Sequence, residues 1–346
     1  MSETTLLLAP LDDGEAMRGG QVLKARNRSV AWLDTAWFPT QVSVDAELGL
    51  DGWHGRIVTP AATIDLASIG AVYYRQPSPF ELPVMSEPER RFAVAEARFG
   101  IGGILASLPV RWAPASPGRA ADAEYKPLEL AAAARAGMSV PATWLGNAPQ
   151  PAAAFIDHQP NGAVSKALIH KVVSEQGQVK LLYTSTVASA DIDARVATTM
   201  HHFQQRITAA RDVRALATAT GCEAVEITTR DSSRPLDYRA CYDRLHYART
   251  TLAADVIHRL QRLLAALGLS MGVVDLAVGQ EGTTWYYEIN PGGRWAWLEE
   301  ETGAPVAALV ADIYASEMGD DRSRTAVAPP GPRARRAHRC GPHALA

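Results

Sequence analysis

The run Tyr286-Tyr287-Glu288-Ile289-Asn290-Pro291-Gly292-Gly293-Arg294-Trp295 reads as a strand that ends in an abrupt turn. A carboxylate and an amide oxygen stand two residues apart at its end. Strand side chains alternate, so Tyr286, Glu288 and Asn290 are expected on one face, Tyr287 and Ile289 on the other. Pro291 withholds the next ladder donor, and Gly292-Gly293 lets the backbone turn without a Cβ penalty. Upstream, residues 272–278 form a second strand with one acid, Asp275, in an apolar run, and the turn-rich 279–283 joins the two as a hairpin. A four-residue loop, 280–283, places Asp275 opposite Glu288; a two-residue loop places it opposite Tyr286, on the same face. Either register gathers Asp275, Glu288 and Asn290 into one patch. Two packed carboxylates repel unless a cation or proton lies between them. Oxygen donors of this kind suit a hard cation. The plainer alternative is an edge strand whose polar face meets water.

Basic residues occur where such a patch could use them. Lys166 lies in a strand with apolar neighbours, and Arg214 and Arg239 follow. Cations beside an acid-held metal are what a nucleoside triphosphate requires, with Mg²⁺ bridging phosphate oxygens and Lys and Arg neutralising the rest. The chain has no Gly-x-x-x-x-Gly-Lys-Ser/Thr motif and no His-Arg-Asp or Asp-Phe-Gly pair, which argues against P-loop and protein-kinase chemistry.

Three blocks must position these residues. In the first, a strand at 4–10, a helix at 16–26 and a strand at 29–33 suggest a small α/β unit. It lacks the Gly-x-Gly-x-x-Gly of a dinucleotide site. Antiparallel strands follow over 41–66, then a strand at 71–77. Ser86 and Glu89 form a capping box for a helix running to about Leu105, and 111–118 reads as a linker. The second block opens with an Ala-rich helix ending at Gly137. It continues with a strand at 163–171, paired with 178–187 through the turn at 175–177. The third carries strands at 212–217 and 222–228. Its helix at 255–267 has Val256, Ile257, Leu260, Leu263, Leu264 and Leu267 at helical spacing before Gly268. The fold class is α/β (α+β).

The 346 residues allow two or three small domains. No run approaches the roughly 20 apolar residues that span a bilayer, and the N-terminus lacks a basic signal region. Cys222, Cys241 and Cys340 make no metal or redox pattern, consistent with a cytoplasmic protein. The last 25 residues, from Arg322, carry six arginines and no acid, leaving 28 basic against 37 acidic residues elsewhere. A body this acidic disfavours nucleic acid as a partner, and the tail reads as a disordered extension.

The order of these features resembles the ATP-grasp superfamily. Within it, the chain is similar to the peptide maturases that make graspetides (microviridin-type, omega-ester-containing peptides), in particular their actinobacterial branch. The resemblance is carried by Tyr73-Tyr74-Arg75-Gln76-Pro77-Ser78, Lys126-Pro127-Leu128, Val140-Pro141-Ala142-Thr143, Asp237-Tyr238-Arg239 and, most specifically, by the run from Glu288 to Glu299. It implies a pre-ATP-grasp domain (1–118), a lid domain (119–198), a C-terminal ATP-grasp domain (199–319) and the basic tail (320–346). It also implies ATP and Mg²⁺, a ribosomal precursor peptide as partner, and a homodimer. The implied reaction activates an Asp or Glu side chain as an acyl phosphate and joins it to a Ser/Thr hydroxyl or Lys amine, giving a macrocyclic ester or amide. Asp275, Glu288 and Asn290 match the Mg²⁺ ligands, and Lys126 and Lys166 the lysines that contact ATP. Phe203, Gln204, Gln205 and Ile207 match the hinge that reads adenine. Arg214 and Arg239 match arginines near the transferred phosphate, and Arg294 is expected to face the substrate carboxylate. Plainer alternatives remain: Lys126 as a helix-start residue, Phe203 as core, and Arg214 and Arg239 paired with Asp212 or Asp237. Gln205 stands where the family usually has an acid, Gly292-Gly293-Arg294 where it often has Asn-Gly-Gln, and Arg211 is the candidate replacement for a lysine often found shortly after the hinge. A small-molecule carboxylate–amine ligase and a non-catalytic leader-peptide-binding protein are the competing readings.

Overall fold

The computed structural model describes residues 3–169, 172–175, 178–230 and 236–315. The tail at 320–346 lies outside them, as do His170 and Lys171 at the end of the expected lid strand and Gln176 and Gly177 in its turn.

The N-terminal block contains β1 (Thr4–Leu8), α1 (Gly14–Ala25), β2 (Ser29–Leu33), β3 (Ser43–Gly49), β4 (Gly52–Val58), β5 (Thr63–Asp65), β6 (Ile69–Tyr74), α2 (Glu87–Ser107) and β7 (Arg111–Ala113). Strands β2-β1-β6-β7 form a parallel sheet, and β3-β4-β5 an antiparallel one. Ser86 and Glu89 close the expected capping box of α2. Residues 111–113, expected as linker, instead complete the parallel sheet, because a short extended segment beside an open strand finds its hydrogen bonds there.

The central region holds α3 (Pro117–Ala123), α4 (Lys126–Arg135), β8 (Thr143–Gly146), α5 (Pro149–Asp157), β9 (Ala163–Lys166), β10 (Val172–Glu175), β11 (Gln178–Leu181), β12 (Ser185–Val187) and β13 (His201–Gln205). β12-β9-β13-β8 is an antiparallel lid sheet with α5 on one face, and β10-β11 is a separate hairpin. Packing runs across the chain order here. Helices α3 and α4 bury Ala120, Ala123, Leu130, Ala132 and Ala133 in the core of the C-terminal sheet, and β13 pairs into the lid sheet. Side chains, not chain order, decide that membership.

The last block comprises β14 (Ala209–Thr218), β15 (Cys222–Thr229), β16 (Leu245–Thr250), α6 (Ala254–Leu267), β17 (Met271–Gly279), β18 (Thr284–Asn290), α7 (Ala296–Thr302) and α8 (Val306–Ala315). The sheet order is β16-β15-β14-β17-β18, antiparallel throughout. One face packs on α3, α4 and α6, whose buried stripe is Val256, Leu260, Leu263, Leu264 and Leu267, and Gly268 closes α6 at φ +67°. Part of the other face shares a core with the N-terminal sheet through α1, α7 and α8.

Asp275 pairs opposite Glu288, as a four-residue loop requires, but through a detour. The hairpin closes with Val278 opposite Thr284 and Leu276 opposite Tyr286, then shifts by one residue at Tyr287. This β-bulge corrects the expected alternation. Tyr286 joins Ile289 in the core, whereas Tyr287 and Glu288 both line the cleft.

Candidate active site

A cleft between the lid sheet and the C-terminal sheet is lined by Lys126, Lys166, His202, Arg239, Asp275 and Glu288, among others. Each comes from a different element or loop. β17 supplies Asp275, which is only 5% exposed. Arg214, its cross-strand neighbour on β14, holds both carboxylate oxygens, with Nη1 at 2.8 Å from Oδ1 and 3.1 Å from Oδ2. Burial pushes the Asp275 carboxyl above its ordinary range; Arg214 pulls it down and neighbouring Glu288 pushes it up again.

Glu288 is held from two sides. Lys126 Nζ lies 3.0 Å from Oε2, and Arg239 Nη1 lies 3.6 Å from Oε1. Lys126 also donates to Glu129 at 3.0 Å. Burial opposes the Lys126 charge, but Glu288 and Glu129 outweigh it and hold the ammonium above its ordinary value. Arg239 donates through Nε to Asp237 at 3.0 Å, so the structural-acid alternative holds for Arg239 alongside its contact with Glu288. Arg214 takes the other course and pairs with Asp275.

On the lid side, Lys166 Nζ donates to Gln204 Oε1 at 2.6 Å and stands 4.3 Å over the Tyr287 ring. Gln204 in turn donates to Thr143 Oγ1 at 3.0 Å. Ile207 packs with Ala277, Trp285 and Tyr287. Gln205 Oε1 accepts from the Ala142 amide at 3.3 Å. The Phe203 side chain takes the core alternative, buried with Ala152 and Ile156 and stacked on Trp144 with ring centroids 5.5 Å apart, so only its backbone is available to a hinge. Strand alternation turns it away from Gln204. Asn290 lies two residues beyond Glu288 and pairs with Val273. The Arg294 side chain is exposed, and its carbonyl accepts from Arg214 Nη2 at 3.1 Å.

The loop after β18 is anchored from the N-terminal block. Arg75, 1% exposed, donates to the carbonyls of Gly292 at 2.7 Å and Gly293 at 3.3 Å while pairing with Asp13 and Glu15. Glu15 accepts from the Trp295 amide at 3.1 Å. Glu129, fully buried, accepts from Tyr286 Oη at 2.7 Å and the Ile289 amide at 2.8 Å, on either side of the bulge.

Residues 12–115 match the family model of the MvdD pre-ATP grasp domain. Among solved structures, the macrocyclase MdnC from Microcystis aeruginosa MRC, bound with precursor peptide MdnA, superposes at a TM-score of 0.78 and 23% identity, covering 91% of this chain and 100% of that one. The chain has the ATP-grasp fold. A RiPP-associated ATP-grasp ligase from Chryseobacterium gregarium, in complex with ADP and a leader and core peptide, matches at 0.81 and 20% identity over 90% and 96% of the two chains. D-alanyl-alanine synthetase A from Vibrio cholerae O1 matches at 0.52 and 12% identity over 91% and 98%. No curated protein matches the chain.

For an ATP-grasp protein the donor set is suitable. Asp275 and Glu288 present hard oxygens side by side, and four cationic side chains surround them. Among the described residues no group of three His, Cys, Asp or Glu side chains could hold a metal, so two carboxylates would share a cation with amide, phosphate or water oxygens. Sequence reading did not single out the roles of Glu129, Arg75, Glu15 and His202. Glu129 and Glu15 look like ordinary surface acids of helix first turns, and only the packing exposes them as buried acceptors. No helix among the described residues is long and apolar enough to cross a membrane.

Proposed function

We propose that this ATP-grasp protein is an ADP-forming ligase that activates Asp or Glu side chains of a ribosomal precursor peptide and joins them to Ser/Thr hydroxyls or Lys amines of the same peptide. One observation carries the reading: Lys126, Lys166 and Arg239 line one cleft with Asp275 and Glu288, and Arg214 pairs with Asp275. The MvdD-type domain and the likeness to a macrocyclase and a RiPP-associated ligase support a peptide substrate.

Bound Mg²⁺ and ATP would supply a phosphoryl group with its charge partly neutralised. Asp275 and Glu288, with Asn290 beyond them, would hold the metal. Lys126, Lys166 and Arg239 would bind the polyanion, and Arg214 keeps Asp275 oriented. A peptide carboxylate oxygen then takes the γ-phosphoryl group and ADP leaves. The hydroxyl or amine attacks the acyl carbon, losing its proton as phosphate departs. Positive charge is what brings an anionic carboxylate to a polyanion.

The test is to incubate the protein with ATP, Mg²⁺ and the small peptide encoded beside it, and to follow peptide mass and ADP. Losses of about 18 Da per ring, the mass of one water, accompany condensation. Glu288→Gln is expected to abolish ADP release while the circular dichroism spectrum stays native; retained turnover removes Glu288 from the metal site. A small-molecule carboxylate–amine ligase is the second reading, favoured by the likeness to D-alanyl-alanine synthetase. ADP formation with free amino acids alone would select it.

A further inference from the structure

Gln76, two residues past the end of β6, has φ at +38°, in the left-handed region that side chains with a Cβ avoid. Among the described residues only Asn27, of a type that tolerates this region, is the other non-glycine there. Pro77 follows Gln76 and narrows its choice of backbone further. Residues held in such conformations persist where their surroundings over-determine them, and they gather at ligand sites.

The surroundings are the turn after the metal strand. Arg75 grips that turn through the carbonyls of Gly292 and Gly293. The Gln76 side chain lies beside the same turn: a Cβ on Gly292 would stand 3.3 Å from Gln76 Nε2 and 3.5 Å from its Cγ. Gly292 has no positive φ, so its missing side chain serves to make room for the carboxamide. Gln76 is exposed, and its carboxamide makes no hydrogen bond among the described residues. Topology points to the same place. β2 lies on one side of β1, and β6 and β7 on the other, so the strand order reverses between β1 and β6. In open parallel sheets ligands bind outside the carboxyl ends of the strands at that reversal.

An uncharged amide offers N–H donors and a carbonyl acceptor. The group that matches both without a charge is another amide, a peptide unit of a substrate main chain. We propose that Gln76 positions the substrate peptide, its carboxamide pairing with the main chain beside the reacting Asp or Glu and holding that side chain near the Asn290 end of the site. This rests on the peptide-ligase reading above and adds a substrate-positioning residue to it.

The full chain, with Mg²⁺ and ADP, is titrated with the fluorescein-labelled small peptide encoded beside it, and separately with ADP alone. Wild type is compared with Gln76→Gly and Gln76→Asn, with melting curves of all three. Glycine takes the left-handed backbone without strain, and asparagine tolerates it while drawing the amide back by one methylene. Peptide affinity is expected to fall roughly tenfold in both variants, the scale of two hydrogen bonds. ADP affinity should hold, and Gln76→Gly should melt at a higher temperature. Unchanged peptide affinity overturns the proposal. So does a lower melting temperature with weaker ADP binding, the mark of a glutamine that only props the turn. If wild type binds ADP but not the peptide, the peptide reading falls and the proposal with it.

Discussion

At the residue scale the two acidic candidate metal ligands, Asp275 and Glu288, are engaged by side chains from distant parts of the chain. Lys126 on α4, itself paired with Glu129, and Arg239 before β16 meet Glu288, and Arg214 neutralises Asp275. A divalent cation must therefore compete with Lys126 for Glu288, whereas nucleotide phosphates would draw Lys126 away. Lys126→Met is expected to raise nucleotide-free Mn²⁺ affinity by roughly tenfold, the scale of a desolvated charge pair, and to weaken ADP binding; electron paramagnetic resonance titration measures the first effect. His202 sets a pH dependence as well. Its folded pKa of about 4 lies below the ordinary 6.5. On acidification the unfolded chain takes up this proton first, so its contribution to stability is complete above about pH 6.5 and is lost as pH falls towards 4. The groups bearing on it are Lys166, Lys126 and Glu288. Urea denaturation at pH 7.5 and 4.5 should therefore show a smaller difference for His202→Leu than for wild type, by on the order of 2 kcal/mol.

At the element scale the bulge in β18 is the feature that makes a site from a hairpin. Without it Tyr287 would lie opposite Asp275, and the strand would present one residue fewer to the cleft. Glu129 accepts from Tyr286 and Ile289 on either side, so α4 clamps the bulge while Lys126, on the same helix, reaches Glu288. The turn after the strand is equally tight. A Cβ on Gly293 would stand 2.6 Å from Val273 Cβ and 3.1 Å from Asn290 Cβ. Gly293→Ala is expected to cost about 1–3 kcal/mol and to disturb Asn290, which urea denaturation and loss of Mg²⁺-dependent ADP release would report together.

At the scale of the whole molecule, the N-terminal block is joined to the C-terminal sheet by polar as well as apolar contacts. Arg75 ties Asp13 and Glu15 to the carbonyls of Gly292 and Gly293, and Trp295, fully buried, donates its indole N–H to Tyr73 at 3.0 Å. Arg75→Met would leave two acids and two carbonyls without their cation. The expected destabilisation is about 3–5 kcal/mol, the cost of breaking a buried ion pair from one side, measured by urea denaturation. The shared core of α1, α7 and α8 implies that the N-terminal and C-terminal blocks lose their structure together.

The amino-acid sequence by itself determined the local features. Alternation, turn residues and helical periodicity placed the β17–β18 hairpin, the capping box of α2 and the stripe of α6, because these depend on neighbours within a few residues. It also singled out Asp275 and Glu288, since acids in apolar strands stand out without any knowledge of packing. What only the tertiary structure decided were choices between partners far apart in the chain. Whether Arg214 pairs with Asp212 or Asp275, whether Phe203 faces the cleft or α5, and whether α4 belongs to the lid or to the C-terminal sheet depend on which surfaces meet. The bulge at Tyr287 belongs with these: strand alternation predicts a regular pleat, and the one-residue shift is seen only in the pairing with β17, beside the buried carboxylate of Glu129.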